Sequence, residues 1–574
     1  AVVGASLVIA TMLASLAWLR GGATSGSDAG GAGGMGSLSP TSLDPADWAT
    51  LRASAHAVLD ASLDKLEAAS EGRVWTPVPD DLKEALRAPV PPEDGLAHGE
   101  LCERLLALLP YGAGNTHPRF FGWVHGSGSP GGVLPELVGA AMNANCGGRD
   151  HVGIYVERQV LTWCKEMMGF PASAGGLLVS GTSMATVLAL KAARDARLGF
   201  DASREGGLAG GPTRLVGYAA QGTHSCIKRA LDVLGVGADA LRIVPVTDAF
   251  TMDVPALHAM VAEDRRRGLT PWLLVATAGS VNVGAIDDLD ALADVAEAQG
   301  LWMHVDGAFG AAAVLSDEVR PRLRGMGRAS SLAFDFHKLL ELPPFASDSH
   351  RDSPGRGVGF YRWLHVNYDC GCVLVRDGDT HLRAFSDRAS SLAGGGGGRH
   401  SPDYLAGNAR GLAANAPWPV DLGIELSRGF RALKVWSHLL EHGTRALGAA
   451  ITANLRHAEH LAALVDKAPT LTRLAPLSLQ IVVFRYEPAG LLGGGGGGGG
   501  GVAADGAALD ALNDEIVVEL QERGVAVPST TRIRGVLAIR INLTNHRTRF
   551  EDLDLLVEQL CKIGGELAER RGWA

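Results

Sequence analysis

The sequence is poor in cysteine and gives it no pattern. Its seven cysteines, at positions 102, 146, 164, 226, 370, 372 and 561, are odd in number and contain no C-x-x-C pair. Neither a disulfide framework nor a zinc site is indicated, and a reducing compartment, the cytoplasm, is expected. Positive charge is also in deficit. Fifty-two Lys and Arg against sixty-two Asp and Glu leave a formal charge of −10, which opposes attraction to a nucleic-acid backbone or an anionic membrane. No repeat of solenoid length recurs along the 574 residues. Residues 1–19 lack charge altogether before Arg20, and about 18 or more apolar residues suffice for a membrane helix. Membrane contact is therefore expected only there. The segment has no basic head of a secretory signal, and the chain opens on Ala, as expected of a processed product, a fragment or a misplaced gene start.

What is present in quantity is a globular enzyme's composition, 46% hydrophobic and 20% charged, so the bulk is not disordered. Part of the glycine excess lies in two tracts, 394–398 and 493–501, expected as surface loops because glycine has the most backbone entropy to lose. Residues 21–45 read as a Gly/Ser linker. At Asp47-Trp48 a helical pattern opens through Leu51, Ala55, Leu59 and Leu63. Beyond Pro110, apolar runs at 176–180, 214–220, 272–278 and 301–306 alternate with amphipathic stretches. That alternation predicts a mostly parallel sheet covered by helices, with ligands at the carboxyl ends of the strands.

The chemistry is sought at those ends. FDFHK (334–338) follows an apolar run and places Lys338 32 residues after Asp306. A desolvated lysine has a lowered pKa and an amine ready to form an imine. Asp306 closes the run LWMHVD, where a carboxylate can keep a pyridine nitrogen protonated. Gly-Thr-Ser at 181–183 starts a helix, and backbone N–H groups there, with the Thr182 and Ser183 hydroxyls, suit a dianion. His224 follows another strand-like run and can stack on a flat ring. Each residue alone also has a plain reading as a cap or a surface group.

Together these pieces resemble the group II decarboxylases that depend on pyridoxal 5′-phosphate (PLP). The resemblance runs from about Asp47 to Arg570 and rests on HPRFFGW (117–123), the GTS helix start, Tyr218 with His224, ATAGSVNVGAIDDL (276–289), HVDGAFG (304–310), SLAFDFHK (331–338), YDCGCVLVRD (368–377), ELSRGFRALKVW (425–436) and NLTNHRT (542–548). It implies the α/β fold of type I, aspartate-aminotransferase-like, with a large mostly parallel domain and a smaller C-terminal α+β domain. The expected division is an apolar segment and linker (1–46), a helical segment (47–125), the PLP-binding domain (126–430) and the small domain (431–574). By the same resemblance Lys338 forms the Schiff base with PLP and Asp306 pairs with its ring nitrogen. His224 stacks on the ring and Ala308 packs on the other face. Thr182 and Ser183 hold the phosphate, with His337 close by, and Tyr404, in PDYLAG, protonates the substrate carbon. A homodimer with sites at the subunit boundary is implied, as is decarboxylation of an L-amino acid to its amine. No metal is expected.

One departure interrupts the pattern. Residues 339–362 separate Lys338 from the Trp-Leu run at 363, where the family continues almost directly. The segment reads as an inserted loop, such as a translated intron or gene-model error would leave, and its presence would threaten the placement of Lys338. The alternatives are another PLP carbon–carbon lyase or aldehyde synthase on the same fold, or a homologue disabled by the insertion. Arg119, Arg149 and His151 would suit a polar substrate side chain and Trp123 an aromatic one; the substrate itself is not legible.

Overall fold

The computed structural model describes residues 42–210, 214–338, 366–386, 408–414, 416–488 and 506–573. The apolar start, both glycine tracts, the 339–362 segment and Tyr404 lie outside the described residues. The described residues up to Gly114 form one compact unit and those from Asn115 onward another. In the first unit, helix α1 (Trp48–Glu67) begins where the sequence signals it, because the Asp47 carboxylate accepts the Ala49 N–H at 2.9 Å and the Thr50 N–H at 3.3 Å. Helix α2 (His98–Leu108) packs against it.

The second unit is built on a seven-stranded sheet. In chain order its strands are β1 (Gly175–Val179), β2 (Leu215–Ala220), β3 (Leu241–Val244), β4 (Thr270–Thr277), β5 (Trp302–Asp306), β6 (Ser331–Asp335) and β7 (Gly371–Val375). Their spatial order is β1-β7-β6-β5-β4-β2-β3, with only β7 antiparallel to its neighbours. Strands β2 and β6 are buried along their whole length, as continuous apolar runs in a doubly covered sheet require. Helix α3 (Val133–Met142) precedes those that cover the sheet: α4 (Val152–Met168), α5 (Thr182–Leu198), α6 (Ser225–Val233), α7 (Val254–Arg266) and α8 (Leu289–Gln299). The long α9 (Arg431–Lys467) leads into a four-stranded antiparallel sheet. Its strands are β8 (Leu471–Arg473), β9 (Ile481–Tyr486), β10 (Ser529–Ile533) and β11 (Val536–Asn542), backed by α10 (Gly506–Glu522) and α11 (Phe550–Arg570). Among the described residues no helix is long and apolar enough to cross a membrane.

Burial of histidine makes this fold sensitive to acid. Burial pushes His304, on β5, down to about 3, and His381 and His457 down to about 4. The unfolded chain binds protons near pH 6.5 that these folded imidazoles refuse. Their contribution is thus complete above pH ~6.5 and lost as pH falls towards 4. Asp287 works the other way. Burial raises it to about 6, so the folded chain keeps a proton that the unfolded chain has released. For these four groups, three protons against one leave a net uptake of two on unfolding near pH 5, or about 2.7 kcal/mol of stability lost per pH unit there. Urea midpoints should change little between pH 8 and 7 and fall steeply between pH 6 and 5.

Candidate active site

Register brings the expected residues to one edge of the large sheet. Asp306, the last residue of β5, stands opposite Thr277 of β4 and Ala333 of β6. Two residues further on, Asp335 ends β6 and pairs with Gly371 of β7, which also pairs with Val179 at the end of β1. Gly181 then opens α5. A side chain at Gly371 would come within 2.6 Å of the Gly181 Cα and 2.7 Å of an Asp335 oxygen, so only glycine permits this approach.

A cavity of about 200 Å³ opens at that edge, lined by Ser180, Gly181, Thr182, Ser183, Met184, Asp335, His337, Lys338, Tyr368 and Asp369. The Lys338 Nζ lies 2.7 Å from Asp335 Oδ2, and the Thr182 N–H donates to Asp335 Oδ1 at 2.7 Å. Asp335 is fully buried. The expected lowering of the lysine pKa is reversed here. Burial does pull the amine down, but the charge and hydrogen bond of Asp335, then Asp306 and Tyr368, carry it above its ordinary value. His337 is buried, with Nδ1 3.1 Å from the Cys370 carbonyl oxygen and its ring centre 4.3 Å from that of Tyr368.

Asp306, His224 and Ala308 gather at the neighbouring strand end. The Ala308 N–H donates to Asp306 Oδ1 at 3.2 Å. Burial raises the Asp306 carboxyl, while the Ala308 hydrogen bond, His224 and Lys338 act against that rise. His224 caps α6, its Nδ1 accepting the Cys226 N–H at 3.3 Å, and its ring stays exposed. Two residues weighed as substrate readers are engaged elsewhere: Arg149 lies 4.9 Å over the Trp418 ring, and His151 caps α4.

Three features fit PLP. The Thr182 hydroxyl is buried without a hydrogen-bond partner at the start of a 17-residue helix, where a phosphate oxygen would satisfy it. An amine stands on the same cavity. A buried carboxylate within electrostatic range of that amine awaits a cation. Asp335 and Tyr368 were not singled out as site residues from the sequence, although both lie inside the quoted motifs. Three residues before Lys338 is a visible spacing for Asp335. Tyr368 reaches the cavity only because β7 returns beside β6. His125, just past HPRFFGW, was missed as well. Burial, then the Lys338 charge, lower its pKa, which places it within range of that amine.

Comparison with known proteins agrees with this geometry. Residues 79–343 match the model of the pyridoxal-dependent decarboxylase conserved domain. The chain is 31% identical over 459 residues to an aromatic-L-amino-acid decarboxylase of Bacillus atrophaeus, covering 79% of this chain and 82% of the relative. It is 29% identical over 397 residues to a phenylacetaldehyde synthase of a Rosa hybrid cultivar, covering 66% and 68%. Among solved structures, Oryza sativa TDC with PLP and tryptamine superposes with a TM-score of 0.75 at 24% identity, over 92% of this chain and 100% of that one. Mouse CSAD does so with a TM-score of 0.75 at 21% identity, over 90% and 99%. These two likenesses establish the shared fold, that of PLP decarboxylases of type I. With its cofactor thus PLP and its chemistry that of a carboxy-lyase, the chain belongs to the pyridoxal-dependent decarboxylase family.

Proposed function

We propose that the chain removes the carboxylate of an aromatic L-amino acid as carbon dioxide and releases the amine, with Lys338 as the covalent anchor of PLP. The carrying observation is the Lys338 amine standing in a cavity beside a partnerless Thr182 hydroxyl at a helix start. That placement holds with the chain interrupted at 339–362, which speaks against a disabled homologue. Bound PLP supplies the electron sink into which the broken bond's electrons pass. Thr182, Ser183 and the N–H groups opening α5 would hold its phosphate, with His337 behind them. Asp306 would keep the ring nitrogen protonated, and His224 and Ala308 would confine the ring between them. Tyr404 is the residue we assign to returning a proton to the substrate carbon.

The aromatic side chain has a matching surface. Phe120 and His125 stack at 5.5 Å, Trp123 lies 5.7 Å from His125, and His125 meets Tyr368 edge-on at 6.2 Å. A run of rings thus leads from half-exposed Trp123 to the cavity wall. The relative that decarboxylates aromatic amino acids supports the same choice. We also propose a cytoplasmic homodimer. All seven cysteines are free thiols. Leu134, Leu137 and Val138 on α3 and Leu440 on α9 are each more than half exposed, an apolar face that a second copy would cover.

The test is a panel of amino acids with carbon dioxide, amine, aldehyde and peroxide measured together. Tyrosine, tryptophan and phenylalanine should yield carbon dioxide and amine in equal amounts, with glutamate at least about tenfold poorer in kcat/KM. Aldehyde with peroxide in place of amine would instead assign the chemistry of the synthase relatives, and no carbon dioxide from any amino acid would refute the proposal.

A further inference from the structure

Tyr368 is held from three sides against the proposed anchor. Its ring lies 4.3 Å from that of His337, its hydroxyl oxygen accepts the Gly126 N–H, and its carbonyl oxygen accepts from Lys434 Nζ at 3.0 Å. Lys434 is itself buried and paired with Glu136 at 2.6 Å. Gly126 comes so close to the His337 backbone that a Cβ there would sit 1.8 Å from the carbonyl oxygen. The phenol is therefore fixed by backbone on both sides rather than left to swing. Since its oxygen already accepts the Gly126 N–H, its own proton remains to be donated. Lys338 shares the cavity wall with it.

The electrostatics suit transfer in both directions. Burial raises the phenol's pKa and keeps it a donor, while the Gly126 N–H and the Lys338 charge favour the phenolate left behind. Other groups bear on the pair. Lys338 also feels Asp335 and His337 on its own strand end, Asp306 from β5, His125 and Cys226. Tyr368 also feels Asp335, meets His125 edge-on and stands next to Asp369. None of the carboxylates among them is a donor when ionised. Burial, the first cause in each case, lowers His125 and His337 and keeps them neutral.

We propose that Tyr368 is the proton-transfer partner of Lys338, handing a proton to the lysine nitrogen as an incoming amine displaces it and taking one from that amine. The step balances: the incoming group attacks as the free amine, its nitrogen bonds to the cofactor carbon and loses one proton, that carbon's bond to the lysine nitrogen breaks as the lysine nitrogen gains one, and the phenol ends as it began, with no change of oxidation state. This rests on Lys338 being the anchor.

The experiment uses PLP-loaded wild-type enzyme and Tyr368→Phe, which keeps the ring on His337 and removes only the hydroxyl. Each is mixed rapidly with L-tyrosine methyl ester, which has no free carboxylate to lose, and the change of the visible band of the lysine-bound cofactor is timed. The variant should exchange at least about tenfold more slowly. A slowing of less than tenfold overturns the proposal. Should Tyr368→Phe fail to load PLP, the wild-type rate in D₂O decides: slowing of at least about twofold is expected, and none overturns it. Borohydride reduction and peptide mapping of the wild type separate the two readings, since a pyridoxyl group on a residue other than Lys338 would sink the anchor assignment itself.

Discussion

Replacing Lys338 by alanine or arginine should lower kcat by on the order of 10⁴-fold or more, because the group that anchors and then releases the cofactor is gone. Borohydride would fix no pyridoxyl group on either variant, although PLP should still bind through Thr182 and Ser183. The two variants should part in stability. Alanine strands the fully buried Asp335 carboxylate with the Thr182 N–H as its remaining close donor. Breaking a buried pair costs about 3–5 kcal/mol. Since the lysine side chain is 29% exposed, a loss of about 2 kcal/mol is the fairer expectation. Arginine keeps a cation there and should melt near wild type. Equal activity loss with unequal melting would separate the chemical role of the amine from its structural one. Retention of labelling in the alanine variant would end the assignment.

Asp306→Asn should reduce kcat by on the order of 10²–10³-fold, the usual effect of removing one electrostatic group aimed at developing charge. An amide cannot hold the ring nitrogen protonated, so electrons leaving the substrate have a poorer destination. The same substitution should not destabilise the protein without PLP. Burial raises the Asp306 carboxyl, so its ionised form is unfavourable there until a cation faces it, and asparagine removes that cost. Melting of both proteins with and without PLP is the check: the stabilisation by PLP should shrink in the variant while the PLP-free melting temperature stays or rises. A drop in the PLP-free value would make Asp306 a structural residue first.

Much of the fold was legible because its signals are local. The alternation of apolar runs predicted strands at 176–180, 214–220, 272–278 and 301–306, and the observed strands coincide with them to within two residues. Asp47 was legible as a helix start because a cap is read from adjacent residues. The partner of Lys338 was not. Asp335 lies in the quoted FDFHK, but whether a carboxylate three residues before a lysine meets it depends on the chain path after the strand. Burial alone would lower the lysine's pKa, and it is the Asp335 carboxylate it meets that raises it. Tyr368 was hidden further, because its approach to Lys338 needs β7 to run antiparallel beside β6, a pairing across a long stretch of sequence that no periodicity reports. His125 reaches the site from a segment 213 residues before Lys338 (338 − 125), again through packing alone.

The pairing of Asp335 with Gly371 has a practical corollary. Strands β6 and β7 are antiparallel neighbours, so two residues far apart in the sequence sit side by side on the sheet. Position 371 is thus a fixed point of the scaffold: any side chain there would collide with the Gly181 Cα and an Asp335 oxygen, and the carboxylate that meets Lys338 would have to move.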